Sequence, residues 1–260
     1  MGSYALITGA SKGIGKAMAA QLSAEGYNLL LIARSENELQ QLSEELTVRD
    51  KIKIHYLSAD LSDHLSPKIV ADWCRDLHAE VSILVNNAGY GLWGDFADLA
   101  LAEQLNMLQV NLNSVVELTY HLLPLLKKQE RAYILNVSST AAYQALPTLA
   151  LYAASKAFII SFSRAIRYEL KDTSVSVTVL SPGPTATGFA HRAGLDGLAD
   201  LADKFNMQPI DVARIGLKGM FNHKAEIIPG FFNKLSAYGA KHLYKTWIER
   251  ISAGLYRNAK

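Results

Sequence analysis

The sequence predicts an α/β fold: a single doubly wound domain with a parallel seven-stranded sheet and helices on both faces. Three observations lead there. Short β-branched or leucine-rich runs alternate with longer helical patterns along most of the chain. Most of the short runs are apolar almost without interruption, as strands covered on both faces are. No internal repeat, low-complexity tract or linker divides the 260 residues, which favours one domain over two.

The first strand, Tyr4–Thr8, runs into Thr8-Gly9-Ala10-Ser11-Lys12-Gly13-Ile14-Gly15 and a helix over Ile14–Glu25. Glycines are required where a backbone turns sharply or approaches a pyrophosphate, and a helix N-terminus offers unpaired N–H groups to an anion. The spacing Gly-x-x-x-Gly-x-Gly departs from the Gly-x-Gly-x-x-Gly fingerprint, so its weight comes from its place at the first strand–helix junction of a βαβ unit. A second strand, Asn28–Ala33, leads to Arg34 and Ser35 and a helix over Glu36–Arg49. A carboxylate at that strand end would hold the ribose 2′-hydroxyl of NAD. Here Arg34, Ser35 and the nearby Lys12 are suited to a 2′-phosphate, so NADP(H) is expected over NAD(H).

Strand Ile52–Ser58, helix Leu65–His78 and strand Val81–Asn86 continue the alternation, followed by Asn86-Asn87-Ala88-Gly89. Asn86 and Asn87 suit braces of the sheet end. The aromatic segment Tyr90-Gly91-Leu92-Trp93-Gly94-Asp95-Phe96 either borders a pocket or is plain core. One long helix is expected over Ala102–Lys127, then strand Ala132–Val137 and helix Leu151–Lys171. That helix opens with Tyr152 and Lys156, four residues apart and therefore on one face. An ammonium beside a phenol favours the phenolate, bringing its proton within reach near neutral pH. Tyr256 and Lys260 repeat the spacing at the C-terminus, but only Tyr152 has a strand ending in Asn136-Val137-Ser138-Ser139 shortly upstream. Strand Ser174–Leu180, an excursion over Pro184–Gln208, helix Asp211–Asn222 and strand Ala225–Ile228 complete the pattern. An excursion at a strand's carboxyl end lies beside the ligand crevice of a parallel sheet. The tail, 231–260, is helical in pattern, aromatic and basic.

With these motifs in order, the chain resembles the short-chain dehydrogenase/reductase family, of the compact NADP(H)-preferring type, from Tyr4 to about Ile228. Within it, the chain is similar to soluble bacterial members related to 3-oxoacyl and 17β-hydroxysteroid reductases. The resemblance implies a Rossmann-type fold and a hydride transfer between the nicotinamide and a carbonyl/alcohol pair. It assigns catalysis to Asn111, Ser139, Tyr152 and Lys156; Ser139 is chosen over Ser138 because it stands 13 residues before Tyr152. Tyr152 would exchange the proton, Ser139 hold the substrate oxygen, Lys156 lower the phenol's pKa and grip the ribose, and Asn111 order a water relay. The cofactor would lie along Gly9, Ser11, Lys12, Gly13, Ile14 and Gly15, with Arg34 and Ser35 at the 2′-phosphate. Asp60 and Leu61 would flank the adenine, Asn87, Ala88, Gly89, Pro182 and Gly183 would lie beside the cofactor, and Thr185 and Thr187 would meet the carboxamide. A homodimer or homotetramer is implied through helices Ala102–Lys127 and Leu151–Lys171.

Composition limits the alternatives. A net charge of +2 with scattered cations makes no case for nucleic acid. The single cysteine, Cys74, forbids an intrachain disulfide, and no histidine pairing suggests a metal. With no leader-like start and no apolar span, a cytoplasmic protein is expected. The tail over 233–260 carries six Lys or Arg against Glu249, with Tyr238, Tyr244, Trp247 and Tyr256 interleaved. It is expected to pack over the pocket or at a subunit contact, with peripheral membrane contact the less favoured reading. The substrate is expected to be a hydrophobic carbonyl compound such as a ketone, 3-oxoacyl chain or steroid-like ring. A non-catalytic NADP(H) sensor is the alternative on the same fold, and an epimerase or dehydratase ranks last.

Overall fold

The structure, a computed structural model, describes residues 2–189, 193–194, 206–242, 245–247, 249–250 and 254. The chain runs β1 (Tyr4–Thr8), α1 (Gly13–Ala24), β2 (Asn28–Ala33), α2 (Glu36–Asp50), β3 (Ile54–Ser58), α3 (Ser66–Asp76) and β4 (Val81–Asn86). It continues α4 (Leu101–Leu108), a π-helical turn (Gln109–Asn113), α5 (Ser114–Leu126), β5 (Ala132–Val137), a 3-10 turn (Thr140–Tyr143), α6 (Ala150–Glu169) and β6 (Val175–Leu180). The last elements are α7 (Pro209–Phe221), β7 (Glu226–Ile227) and α8 (Phe231–His242).

The seven strands form one parallel sheet in the order β3-β2-β1-β4-β5-β6-β7. Strands β2, β4 and β5 are buried along their whole length, which is why their sequences do not alternate. The sheet separates two apolar layers. Leu6, Leu30 and Ile32 point into the layer with Val70 and Cys74 of α3, Leu118 and Leu122 of α5, and Ala153 of α6. Ala5, Ile7, Leu29 and Leu31 point into the other, against Met18 and Leu22 of α1, Leu39 and Leu42 of α2, and Val212 and Met220 of α7. This is the period-2 alternation of strand side chains, with both faces apolar. The order reverses between β1 and β4, so their carboxyl ends diverge and open a crevice where such sheets bind ligands.

Several boundaries differ from the sequence reading. The expected continuous helix over Ala102–Lys127 is two helices joined by the π turn around Asn111. One extra residue is accommodated there, and the Asn111 side chain is tied to the Tyr90 backbone. Apolar periodicity carries no signal of such a side-chain tether. Strand β3 starts at Ile54 rather than Ile52 because Lys51 adopts a left-handed conformation as the cap of α2. Strand β7 is only two residues, since Gly230 (φ 85°) turns the chain straight into α8. Parts of the excursion (190–192 and 195–205) and of the tail (most of 243–260, with Tyr244, Tyr256 and Lys260) lie outside the described residues. Among the described residues, no helix is long and apolar enough to cross a membrane.

Candidate active site

The glycine turn is shaped by contacts rather than by flexibility. Gly9 (φ 63°) and Gly13 (φ 54°) occupy the left-handed region. At Gly15 a Cβ would stand closer than any van der Waals contact to the carbonyl oxygen of Gly9, so only glycine lets α1 start this near β1. Lys12 caps α1 without a side-chain bond, leaving the first-turn N–H groups of the helix open toward the crevice. Thr187 lies over the turn; its Cγ2 would be 2.9 Å from a Cβ on Gly13. Asn87 fastens the far side: its Nδ2 donates to the carbonyl oxygens of Thr8 (2.9 Å) and Gly9 (3.2 Å). The backbone N–H groups of Asn87 and Ala88 both donate to Thr8 Oγ1 at 3.0 Å. Asn86 instead bridges β4 to β5 through Asn136 Oδ1 (2.8 Å), so the bracing expected of this pair holds for both. A cradle of this form, with a helix N-terminus open to it, fits a pyrophosphate.

At the end of β2 the two expected phosphate cations are not alone. Lys12 Nζ lies 2.8 Å from Glu38 Oε1, and Arg34 Nη1 lies 4.0 Å from Asp60 Oδ2. Hydrogen bonding from Lys12, with lesser help from the Ser11 and Ser35 hydroxyls, holds the Glu38 carboxyl below the usual carboxylate range. The sequence reading stopped at the residues next to β2 and overlooked Glu38. Its position three residues into α2, where Ser35-x-x-Glu38 spells a capping box, was the available signal.

The chemical end is set by α6. Tyr152, Lys156, Ile159 and Ser163 recur at helical spacing and form its buried face. Tyr152 is 7% exposed and its ring lies 5.4 Å from that of Phe189. Lys156 Nζ stands 5.8 Å from the Tyr152 ring centroid and donates to Val137 O at 3.1 Å. Burial pushes the Lys156 amine down to about 8. Ser138 Oγ donates to the Lys156 carbonyl (2.7 Å), pinning α6 to the end of β5 and leaving Ser139 to face the cleft. Ser139 Oγ accepts the N–H of Ala141 at 3.1 Å, so its own hydrogen is free to point elsewhere. Asn111, 1% exposed, sits behind this group: its Oδ1 accepts from Tyr90 N (3.1 Å), and its Nδ2 donates to Tyr90 O (2.9 Å) and Ser155 Oγ (3.2 Å). Gly89 separates Asn111 from Lys156; a Cβ there would be 3.0 Å from Asn111 Oδ1 and 3.2 Å from Lys156 Nζ.

One cleft of about 2170 Å³ joins the two ends, more than a small-molecule pocket needs and enough for a dinucleotide with a substrate. Of the residues named from sequence, Gly9, Ser11, Lys12, Gly13, Ile14, Arg34, Ser35, Asp60, Leu61, Asn87, Ala88, Gly89, Ser139, Tyr152, Lys156, Pro182, Gly183, Thr185 and Thr187 all line it. Gly15 and Asn111 do not; they support it from behind. The aromatic segment divides: Tyr90 lines the cleft, Leu92 and Trp93 pack on the core, and Phe96 is exposed, while Phe189 from the excursion after β6 joins Tyr90 on the cleft. The start of the tail forms a further wall, with Phe231 and Ala237 of α8 on the cleft. At Gly183 a Cβ would collide with Asn233, so that glycine exists for the approach of α8. Among the described residues, no group of three or more His, Cys, Asp or Glu is placed to hold a metal ion.

Comparison with known proteins places this geometry. A family model described as short chain dehydrogenase matches residues 3–197. Among curated relatives, 17-beta-hydroxysteroid dehydrogenase type 3 of Homo sapiens is 31% identical over 247 residues, covering 92% of this chain and 77% of the relative. Sulfoacetaldehyde reductase 2 of Chromohalobacter salexigens is 35% identical over 221 residues, covering 83% and 87%. A solved structure from a study of 7beta-hydroxysteroid dehydrogenase stereoselectivity superposes with a TM-score of 0.87 at 24% identity, over 97% of each chain.

Proposed function

Since this chain belongs to the short-chain dehydrogenase family, oxidoreductases that act on hydroxyl and carbonyl groups, we propose that it reduces a hydrophobic ketone or 3-oxoacyl-type carbonyl with NADP(H) in preference to NAD(H). The observation that carries the reading is the meeting, in one cleft, of the buried Tyr152–Lys156 face with a glycine cradle ending at Lys12 and Arg34.

A bound nicotinamide would supply the hydride. The chain's own residues do the rest. Tyr152 donates its phenolic proton to the substrate oxygen as the carbonyl carbon is reduced, so C=O becomes CH–OH. The Lys156 ammonium stabilises the phenolate left behind. Ser139, whose oxygen is taken by Ala141 N, directs its hydrogen to the substrate oxygen and orients it. Lys156 then reprotonates the phenolate, and a water ordered between Asn111 Oδ1 and Lys156 Nζ, which lie on either side of Gly89, would return a proton to the lysine from solvent. The cradle at Gly9–Gly15 would hold the pyrophosphate, Asp60 and Leu61 would border the adenine, and Thr185 and Thr187 would meet the carboxamide; the last four all line the cleft.

Leu146, Leu149, Tyr90 and Phe189 form an apolar wall next to Tyr152 and support a hydrophobic substrate. The two relatives point in opposite directions: one is named for a steroid, the other for a small sulfonated aldehyde. A panel of small hydrophilic aldehydes, ketones and 3-oxoacyl compounds of increasing chain length, followed by NADPH absorbance, decides between them. kcat/KM is expected to rise by about threefold or more for each added methylene the wall covers. A preference for small hydrophilic aldehydes would overturn the substrate assignment. For the cofactor, Arg34→Ala is expected to raise the KM for NADPH by about tenfold or more while moving that for NADH little, as loss of a charge-assisted phosphate contact requires. Equal effects on both would remove Arg34 from the phosphate site.

A further inference from the structure

We propose that Glu38 is a specificity-determining residue: a built-in carboxylate that competes with the 2′-phosphate for Lys12 and restrains the preference for NADP(H). The inference rests on the cofactor reading above and adds a residue to it.

The argument starts from position. Glu38 lines the cleft together with Ser11, Lys12, Arg34 and Ser35, the groups suited to a 2′-phosphate. Its Oε1 is 2.8 Å from Lys12 Nζ, and the nearby Ser11 and Ser35 hydroxyls help hold its carboxyl below the usual range. Lys12 is a donor that a phosphate would use, and it is already engaged by a side chain of the protein itself. A helix-capping role explains the contacts less well. Glu38 has the right place for a capping box, but Ser35 makes no side-chain cap bond, and the carboxylate reaches out of α2 to the glycine turn.

Charge gives the direction of the effect. With Arg34 near Asp60 and Lys12 near Glu38, each cation of the seat has a carboxylate within ion-pair distance. An arriving dianionic phosphate must draw Lys12 away from Glu38 and then tolerate a carboxylate alongside. A ribose hydroxyl faces neither cost, and Glu38 is placed to accept a hydrogen bond from it. The Lys12–Glu38 pair is exposed enough, at 74% and 33% of the side chains, to be exchanged rather than locked. Glu38 therefore sets how strongly the two dinucleotides are distinguished, without contributing to the chemistry at Tyr152.

Direct binding tests this without turnover. Dissociation constants for NADPH, NADH and the fragment 2′,5′-ADP are measured by titration calorimetry on the wild type, Glu38→Gln, Glu38→Asp and Arg34→Ala, with thermal midpoints as a check on folding. Glu38→Gln is expected to bind NADPH and 2′,5′-ADP about five- to tenfold more tightly and NADH no better, because a competing charge is gone. Glu38→Asp keeps the charge on a shorter arm and is expected to fall between. A ratio of NADH to NADPH affinity that stays within twofold of wild type in Glu38→Gln, while Arg34→Ala weakens NADPH selectively, overturns the role of Glu38 and leaves the cofactor reading standing. Weaker NADPH binding by Glu38→Gln overturns it as well, by making Glu38 a helper. If Arg34→Ala also fails to discriminate, the 2′-phosphate reading falls and the inference falls with it.

Discussion

Tyr152→Phe is expected to reduce kcat by about a thousandfold or more while leaving the dissociation constant for NADPH within about twofold, because only the proton is withdrawn. The substitution removes one oxygen and no packing: the ring keeps its contact with Phe189, and the main-chain bond from Ser155 Oγ to Tyr152 O is untouched. Folding is therefore expected to be preserved, which thermal unfolding would verify. Single-turnover NADPH oxidation with the best substrate of the panel measures the effect. Turnover above about a tenth of wild type would show that another group moves the proton.

Replacing Lys156 by methionine is expected to cost about a hundredfold or more in kcat, and at the same time to stabilise the fold. Both follow from a buried amine whose pKa is pushed down to about 8 from an ordinary value of 10.5. The sign is fixed by proton counting. Between pH 8 and 10.5 the unfolded chain holds a proton that the folded chain has released, so stability rises with pH across that window. Below pH 8 both states are protonated, and the folded state carries the whole cost of burying an ammonium, about 3 kcal/mol on this shift. Lys156→Met removes that cost, less about 1 kcal/mol for the lost bond to Val137 O. Denaturation curves at pH 7 and pH 10 should show a gain at the lower pH and a flattened slope between them. The same amine predicts a limb near pH 8 in kcat/KM for reduction, falling as the ammonium deprotonates. A variant that is inactive, no more stable and unchanged in slope would mean that Lys156 is charged without penalty and that burial is not what tunes it.

The sheet was legible because it is written in apolar runs: β2, β4 and β5 are covered on both faces and read as uninterrupted hydrophobic segments. Tyr152 and Lys156 were legible because a helix repeats every few residues, so a pair four apart shares a face wherever the helix lies. Features made by side chains reaching across the chain were not. Asn111 was identified by resemblance, but its hydrogen bonds to Tyr90 and Ser155, and the π turn they accompany, join segments 21 and 44 residues away. Glu38, although its place in a capping-box pattern was visible, was missed because its partner Lys12 lies in the glycine turn, 26 residues earlier. The split of the aromatic segment, with Tyr90 turned to the cleft and Trp93 to the core, depends on a backbone path that composition does not encode.

The sheet also sorts the consequences of damage. Tyr152 and Ala153 belong to the layer packed against α3 and α5, whereas Ala10, Met18 and Ala33, which back the glycine turn, belong to the opposite layer. On the proposed function, a loosened side chain on the first side would loosen the proton donor, and one on the second side the grip on the dinucleotide. Destabilising changes far from the cleft should divide into two kinetic phenotypes, slow turnover with normal nucleotide affinity or weak affinity with normal turnover at saturation. The side of the β-sheet on which the change falls should bias which one appears, with Leu61 and Val137 each crossing the divide.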